Sequence, residues 1–218
     1  MMKYKILFID EEKRQQDEFA DFMDHYQDRV ELICCYPLST LVDTIAMIDE
    51  SHPDAIVSDF KLNDIKDDIK YNVSFDGSEL MDAYLDERPG FPCFVLTSFD
   101  DEAIYRSHDL NIVYLKRDLH PSKDDKITFA DRIIQKIVSY QTEISNAQKR
   151  LNDLMELRRN NQATSKDEQE LIELDSFLER SLGQKTQVPA GMKELSNMKR
   201  LNELIEKADA ILAKLEGK

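Results

Sequence analysis

The stretch DAIVSDFKLNDIKDDIKYNVSFDG, residues 54–77, decides the fold. Ala55-Ile56-Val57-Ser58 is a short run apolar or small at every position, which suits a strand buried on both faces. The run delivers an acid, Asp59. A polar segment with Asp64, Asp67 and Asp68 follows, and only then Asp76-Gly77 and an amphipathic stretch. A buried strand that ends in an acid and leads to a helix is half of a strand–helix–strand unit, so the flanking sequence should repeat it.

It does. Working outward, short apolar runs occur at 4–9, 30–35, 93–96 and 112–115, and amphipathic stretches at 13–25, 40–49, 78–86 and 101–108 lie between them. Strand and helix alternating five times imply a parallel sheet with helices on both faces. Beyond residue 122 the periodicity changes. Ala130, Ile133, Ile137, Tyr140, Ile144, Ala147, Leu151 and Leu154 are spaced by alternating threes and fours, a heptad pattern. The pattern predicts a helix over 127–158, about 48 Å long at 1.5 Å per residue. Ser165 with Glu168 three residues later is a capping box that opens a second helix over 166–182. A third is expected over 192–216. The expected organisation is therefore an α/β domain, 1–122, followed by an all-α coiled-coil or bundle region, 123–218.

Charge divides the same way. Of 29 basic and 44 acidic residues, the first 120 positions hold 12 and 27, and the remainder hold 17 of each. The whole excess of −15 sits in the first domain. A duplex-binding protein neutralises phosphates with a basic face, so nucleic acid is not an expected partner. The apolar run near the N-terminus is too short for a signal peptide or a membrane span, and a cytoplasmic location is expected. Cys34, Cys35 and Cys93, an odd number in apolar runs, point to reduced, buried thiols. All four histidines precede residue 121, so the helical region holds no phosphorylatable histidine.

Open parallel sheets place functional groups beyond the carboxyl ends of their strands. The first strand ends in Asp10-Glu11, the third in Asp59, the fourth in Thr97 and the fifth in Lys116. Singly these are ordinary residues: an Asp after a strand is commonly a helix cap and a Lys is commonly solvated. Together they form one chemistry. Clustered carboxylates are hard oxygen ligands suited to Mg2+. A metal there neutralises the acids, the Thr97 hydroxyl and Lys116 ammonium can hold phosphoryl oxygens, and Asp59 is the natural nucleophile.

The pieces ILFIDEE, DAIVSDF, DGSEL, FVLTS and YLK resemble the receiver domain of two-component response regulators, over about 55% of the chain. The resemblance implies a flavodoxin-like sheet of order 2-1-3-4-5. It implies that Asp59 accepts a phosphoryl group from a sensor histidine kinase or phosphotransfer protein, and that Thr97 and Lys116 contact that group. It further implies Mg2+ held by Asp10, Glu11, Asp59 and the backbone carbonyl of Lys61. Such a protein is not an enzyme beyond assisting its own phosphotransfer and dephosphorylation. Output would pass to a downstream protein through the helical region, which would also form a homodimer. The chain departs from the family pattern at Glu11, at the insertion near 63–75, and at Val113 and Arg117, where the family has an aromatic residue and a proline.

Two other readings compete. One is a receiver-like scaffold or dimerisation protein that is never phosphorylated. The other is a hydrolase with an Asp nucleophile, but those enzymes place a second Asp two residues later, where this chain has Lys61.

Overall fold

The computed structural model describes residues 3–64, 68–98, 110–120 and 127–181. Five strands, β1 (Tyr4–Ile9), β2 (Val30–Cys35), β3 (Ala55–Asp59), β4 (Cys93–Thr97) and β5 (Val113–Leu115), form one sheet. All pairings are parallel and the spatial order is β2-β1-β3-β4-β5. This is the doubly wound, flavodoxin-like arrangement expected from the sequence. Helices α1 (Lys13–Met23), α2 (Leu41–Ser51) and α3 (Gly77–Glu87) make the crossovers. The stretch expected to be helical at 101–108 lies outside the described residues.

Strand residues alternate between the two faces of the sheet. Ile6, Phe8, Ala55, Val57, Phe94 and Leu96 share a core with Phe19 and Met23 of α1. The rings of Phe8 and Phe19 stack at 4.2 Å. The intervening residues Leu7, Ile9, Ile56 and Val95 are also buried, as are Ile48 of α2 and Leu80, Met81 and Tyr84 of α3. Burial on both faces explains why β1, β3 and β4 are apolar at nearly every position. β2 is an edge strand, so Cys34 and Cys35 are only half-buried, whereas Cys93 is fully buried. Burial pushes all three thiols up, Cys35 to about 12.

The long helix, α4 (Phe129–Arg159), shows where the heptad reading falls short. Thr128 caps it: its Oγ1 accepts the Asp131 N–H, and its own N–H donates to Asp131 Oδ2, both at 3.2 Å. Phe129, Ala130, Ile133 and Ile137 then enter the core of the sheet, and Phe129 meets Phe94 edge-on at 5.8 Å. Two compact units result, Met1–Glu143 and Ile144–Lys218. The division between these units falls inside α4. A heptad stripe and a sheet-packing stripe both recur every three or four residues, so spacing alone does not say which partner covers them.

In the second unit, α4 ends at a Schellman turn. Asn161 has a left-handed φ of 55°, and the N–H groups of Gln162 and Asn161 donate to the carbonyls of Leu157 and Arg158 at 2.9 and 3.1 Å. Helix α5 (Ser165–Ser181) runs back along it. Its cap is Thr164, whose Oγ1 accepts the Asp167 N–H while Asp167 Oδ2 accepts the Thr164 N–H. The expected box, Ser165 with Glu168, is thus one residue out of frame. Glu168 instead pairs with Arg158 at 3.2 Å, and Arg150 forks onto Glu170 at 2.8 and 2.7 Å. Leu154, Ile172 and Leu178 are buried. The helix expected at 192–216 lies outside the described residues. Among the described residues, no helix is long and apolar enough to cross a membrane.

Candidate functional site

The strand registers set the site. Ile9 pairs with Ser58, so Asp10 and Asp59 leave the sheet side by side. Asp59 pairs with Leu96 and Thr97 with Leu115, so Thr97 and Lys116 each lie one step further along the carboxyl edge. Asp10, Glu11, Asp59 and Thr97 are all buried, with no more than 5% of any residue's surface exposed. Ligand oxygens of Asp10, Glu11 and Asp59 lie within 4.8 Å of one another.

Lys116 reaches into this group. Its Nζ lies 2.6 Å from Asp59 Oδ1 and 3.9 Å from Asp10 Oδ2, and it donates to Gln15 Oε1 at 3.2 Å. The other oxygen of Asp59, Oδ2, accepts the Lys61 N–H at 2.8 Å. The Lys61 carbonyl accepts the Asp64 N–H at 3.3 Å, closing a turn directly after β3. Asp10 Oδ1 accepts the Glu12 N–H at 2.8 Å, whereas its buried Oδ2 accepts no hydrogen bond.

Three buried carboxylates, Asp10, Glu11 and Asp59, thus converge beside the Lys116 ammonium, which pairs with Asp59 and lies near Asp10. The Asp10 carboxyl responds by rising to about 8, chiefly because it is buried and secondly because Asp59 is beside it. The three acids could hold a divalent cation. The donors are hard oxygens, they converge, and Asp10 Oδ2 lacks a hydrogen-bond donor. The residues present fit Mg2+.

Two features here were not evident from the sequence. Gln15 and Gln16 on α1 brace the site: Gln15 holds Lys116, and the buried Gln16 amide donates to the carbonyls of Asp10 and Cys35 at 2.9 and 3.1 Å. No motif marks them, because their roles depend on how α1 lies over the edge. The second is the reason for Asp76-Gly77. Asp76 caps α3 in a capping box with Glu79, and the Gly77 N–H donates to the Phe60 carbonyl at 2.8 Å. A Cβ on Gly77 would lie 2.0 Å from the Asp59 carbonyl oxygen. Only glycine lets α3 start this close to the end of β3.

Of the acids after Asp59, Asp64 is exposed and Asp67 lies outside the described residues. Asp68 is exposed and accepts the Lys13 N–H at 3.0 Å. Tyr114 packs on Phe129 and Phe94 at 5.0 and 5.7 Å, on the α1–α4 face of the sheet.

No protein-family model matches the chain, and no curated protein matches it. Several solved structures are similar to it. A structure described as a 'putative response regulator' from Chloroflexus aurantiacus is 13% identical, with 62% of this chain and 95% of that one covered and a TM-score of 0.41. A yeast Spc42 trimeric coiled-coil fusion is 16% identical, covering 74% and 97%, at 0.45. NtrX from Brucella abortus is 20% identical, covering 70% of this chain but 30% of its own, at 0.41. The fold and the site stand on the strand order and the distances above.

Proposed function

We propose that the chain is a phosphorylatable receiver and that Asp59 is its acceptor. The observation that carries this is the convergence of Asp10, Glu11 and Asp59 within 4.8 Å, with the Lys116 ammonium 2.6 Å from Asp59. Asp10, Glu11 and Asp59, with the Lys61 carbonyl, would hold Mg2+, which neutralises the acids and the incoming phosphoryl oxygens.

The chain's own residues do the rest. An Asp59 carboxylate oxygen attacks the phosphorus of a phosphohistidine on a sensor kinase or phosphotransfer protein. The O–P bond forms as the P–N bond breaks, and the imidazole leaves with the electron pair. Lys116 and the Thr97 hydroxyl offer donors to the phosphoryl oxygens, and the cost is mostly positioning. Output passes to a protein partner through the helical region, which also brings two copies together, and not to DNA.

The test is labelling by a small phosphodonor with Mg2+, followed by intact mass. The wild-type chain should gain one phosphoryl group and Asp59→Asn none. Equal labelling of both would sink the assignment.

A further inference from the structure

The turn that presents Asp10 and Glu11 runs straight into α1. The first amides of a helix need acceptors from outside it. Glu12 stands at the N-cap of α1, but its side chain makes no capping hydrogen bond. Glu is a poor residue for that position compared with Ser, Thr, Asp or Asn. Two acids fill the role instead. Asp10 Oδ1 accepts the Glu12 N–H from within the turn, and Asp68 Oδ2 accepts the Lys13 N–H from 55 residues away.

Asp68 belongs to the long segment between β3 and α3. That segment is anchored beyond it: the Tyr71 hydroxyl donates to the Pro37 carbonyl at 2.7 Å, and Val73 and Phe75 are buried. These contacts tether the segment three residues past Asp68, whose exposed carboxylate reaches the Lys13 amide. We infer that Asp68 is a positioning residue for the metal ligands: by holding the Lys13 amide it fixes the β1–α1 turn from which Asp10 and Glu11 project. The turn carries two buried carboxylates, Asp10 and Glu11, close beside Asp59, so its placement sets the spacing of all three. Asp68 lies outside the acidic cluster itself, so its effect passes through the backbone. This inference rests on the Mg2+ site proposed above.

The test uses the full chain, with Mg2+ affinity measured by titration calorimetry and Lys13 amide exchange measured without metal. Asp68→Ala removes the acceptor, Asp68→Asn keeps an acceptor oxygen without the charge, and Asp64→Ala removes a nearby exposed acid. Asp68→Ala should weaken Mg2+ binding by about three- to tenfold, below the ~10- to 100-fold typical of losing a direct partner of a ligand. It should also speed Lys13 exchange. Asp68→Asn and Asp64→Ala should stay within about twofold of wild type. Wild-type affinity in Asp68→Ala overturns the inference, and so does Asp68→Asn falling as far as Asp68→Ala, which would mean charge alone. A wild-type chain that binds no Mg2+ overturns the site reading and this inference with it.

Discussion

Lys116 Nζ lies 2.6 Å from Asp59 Oδ1, so the nucleophile proposed here is held in an ion pair before any phosphoryl group arrives. The pair is partly buried, and the same ammonium lies 3.9 Å from Asp10. Removing it exposes three acids to one another. Lys116→Ala should therefore destabilise the metal-free protein by about 1–3 kcal/mol, less than a fully buried pair would lose because Lys116 retains solvent contact. Urea unfolding in EDTA checks this. Added Mg2+ should recover part of the loss, because it supplies the missing charge. An unchanged midpoint would mean the acids do not repel as their spacing implies.

Asp10 gives the site a pH dependence with a definite sign. Its carboxyl is raised from 3.8 to about 8 in the folded chain, by burial first and by Asp59 second. The folded state thus binds this proton more tightly than the unfolded state does. The stabilisation is fully present below about pH 4 and is lost as pH rises through 8. Without metal, the melting temperature should fall between pH 6 and pH 9. Asp10→Asn should flatten that fall and be more stable than wild type at pH 9, by on the order of 1–3 kcal/mol. Thermal melts in EDTA across the range decide it. A wild-type curve parallel to that of the variant would count against the shift.

Gly77 separates two opposing effects. Alanine is favoured over glycine inside a helix by about 1 kcal/mol. Geometry says the reverse, since the new Cβ would lie 2.0 Å from the Asp59 carbonyl oxygen and 2.9 Å from Ser58 Oγ. Backbone atoms cannot yield as a flexible side chain would. Gly77→Ala should destabilise by about 2–4 kcal/mol and reduce labelling of Asp59, because the end of β3 must move. A more stable variant with full labelling would show that α3 shifts freely.

The sheet, and the edge on which the candidate site lies, are legible in the residues, and for one reason. In a parallel sheet the strands are nearly continuous apolar runs, and each run names the residue that follows it. Asp10, Glu11, Asp59, Thr97 and Lys116 could therefore be placed at one edge from strand ends alone. What depended on packing between elements was not legible. Gln15 and Asp68 act across 101 and 55 residues of sequence, and neither position carries a local signal. The cap of α5 was missed by one residue because Thr164-Asp167 and Ser165-Glu168 have the same spacing.

The stripe on α4 leads to the last prediction. Its first positions serve the sheet: Ala130, Ile133 and Ile137 are almost completely buried there, beside Phe94 and Leu96. Leu151, further along the same stripe, is half-buried in the second unit. The two ends of one heptad pattern should then respond differently. Ile133→Ala should cost about 2–5 kcal/mol, as a large-to-small change in a packed core does, and should weaken folding of the sheet that presents Asp59. Leu151→Ala should cost less and leave phosphodonor labelling intact. A chain cut after residue 122, which lacks Phe129, Ala130, Ile133 and Ile137, should not fold cooperatively, whereas one cut after Arg159 should. Cooperative melting of the shorter chain would return α4 as a whole to the helical region, as the spacing alone suggested.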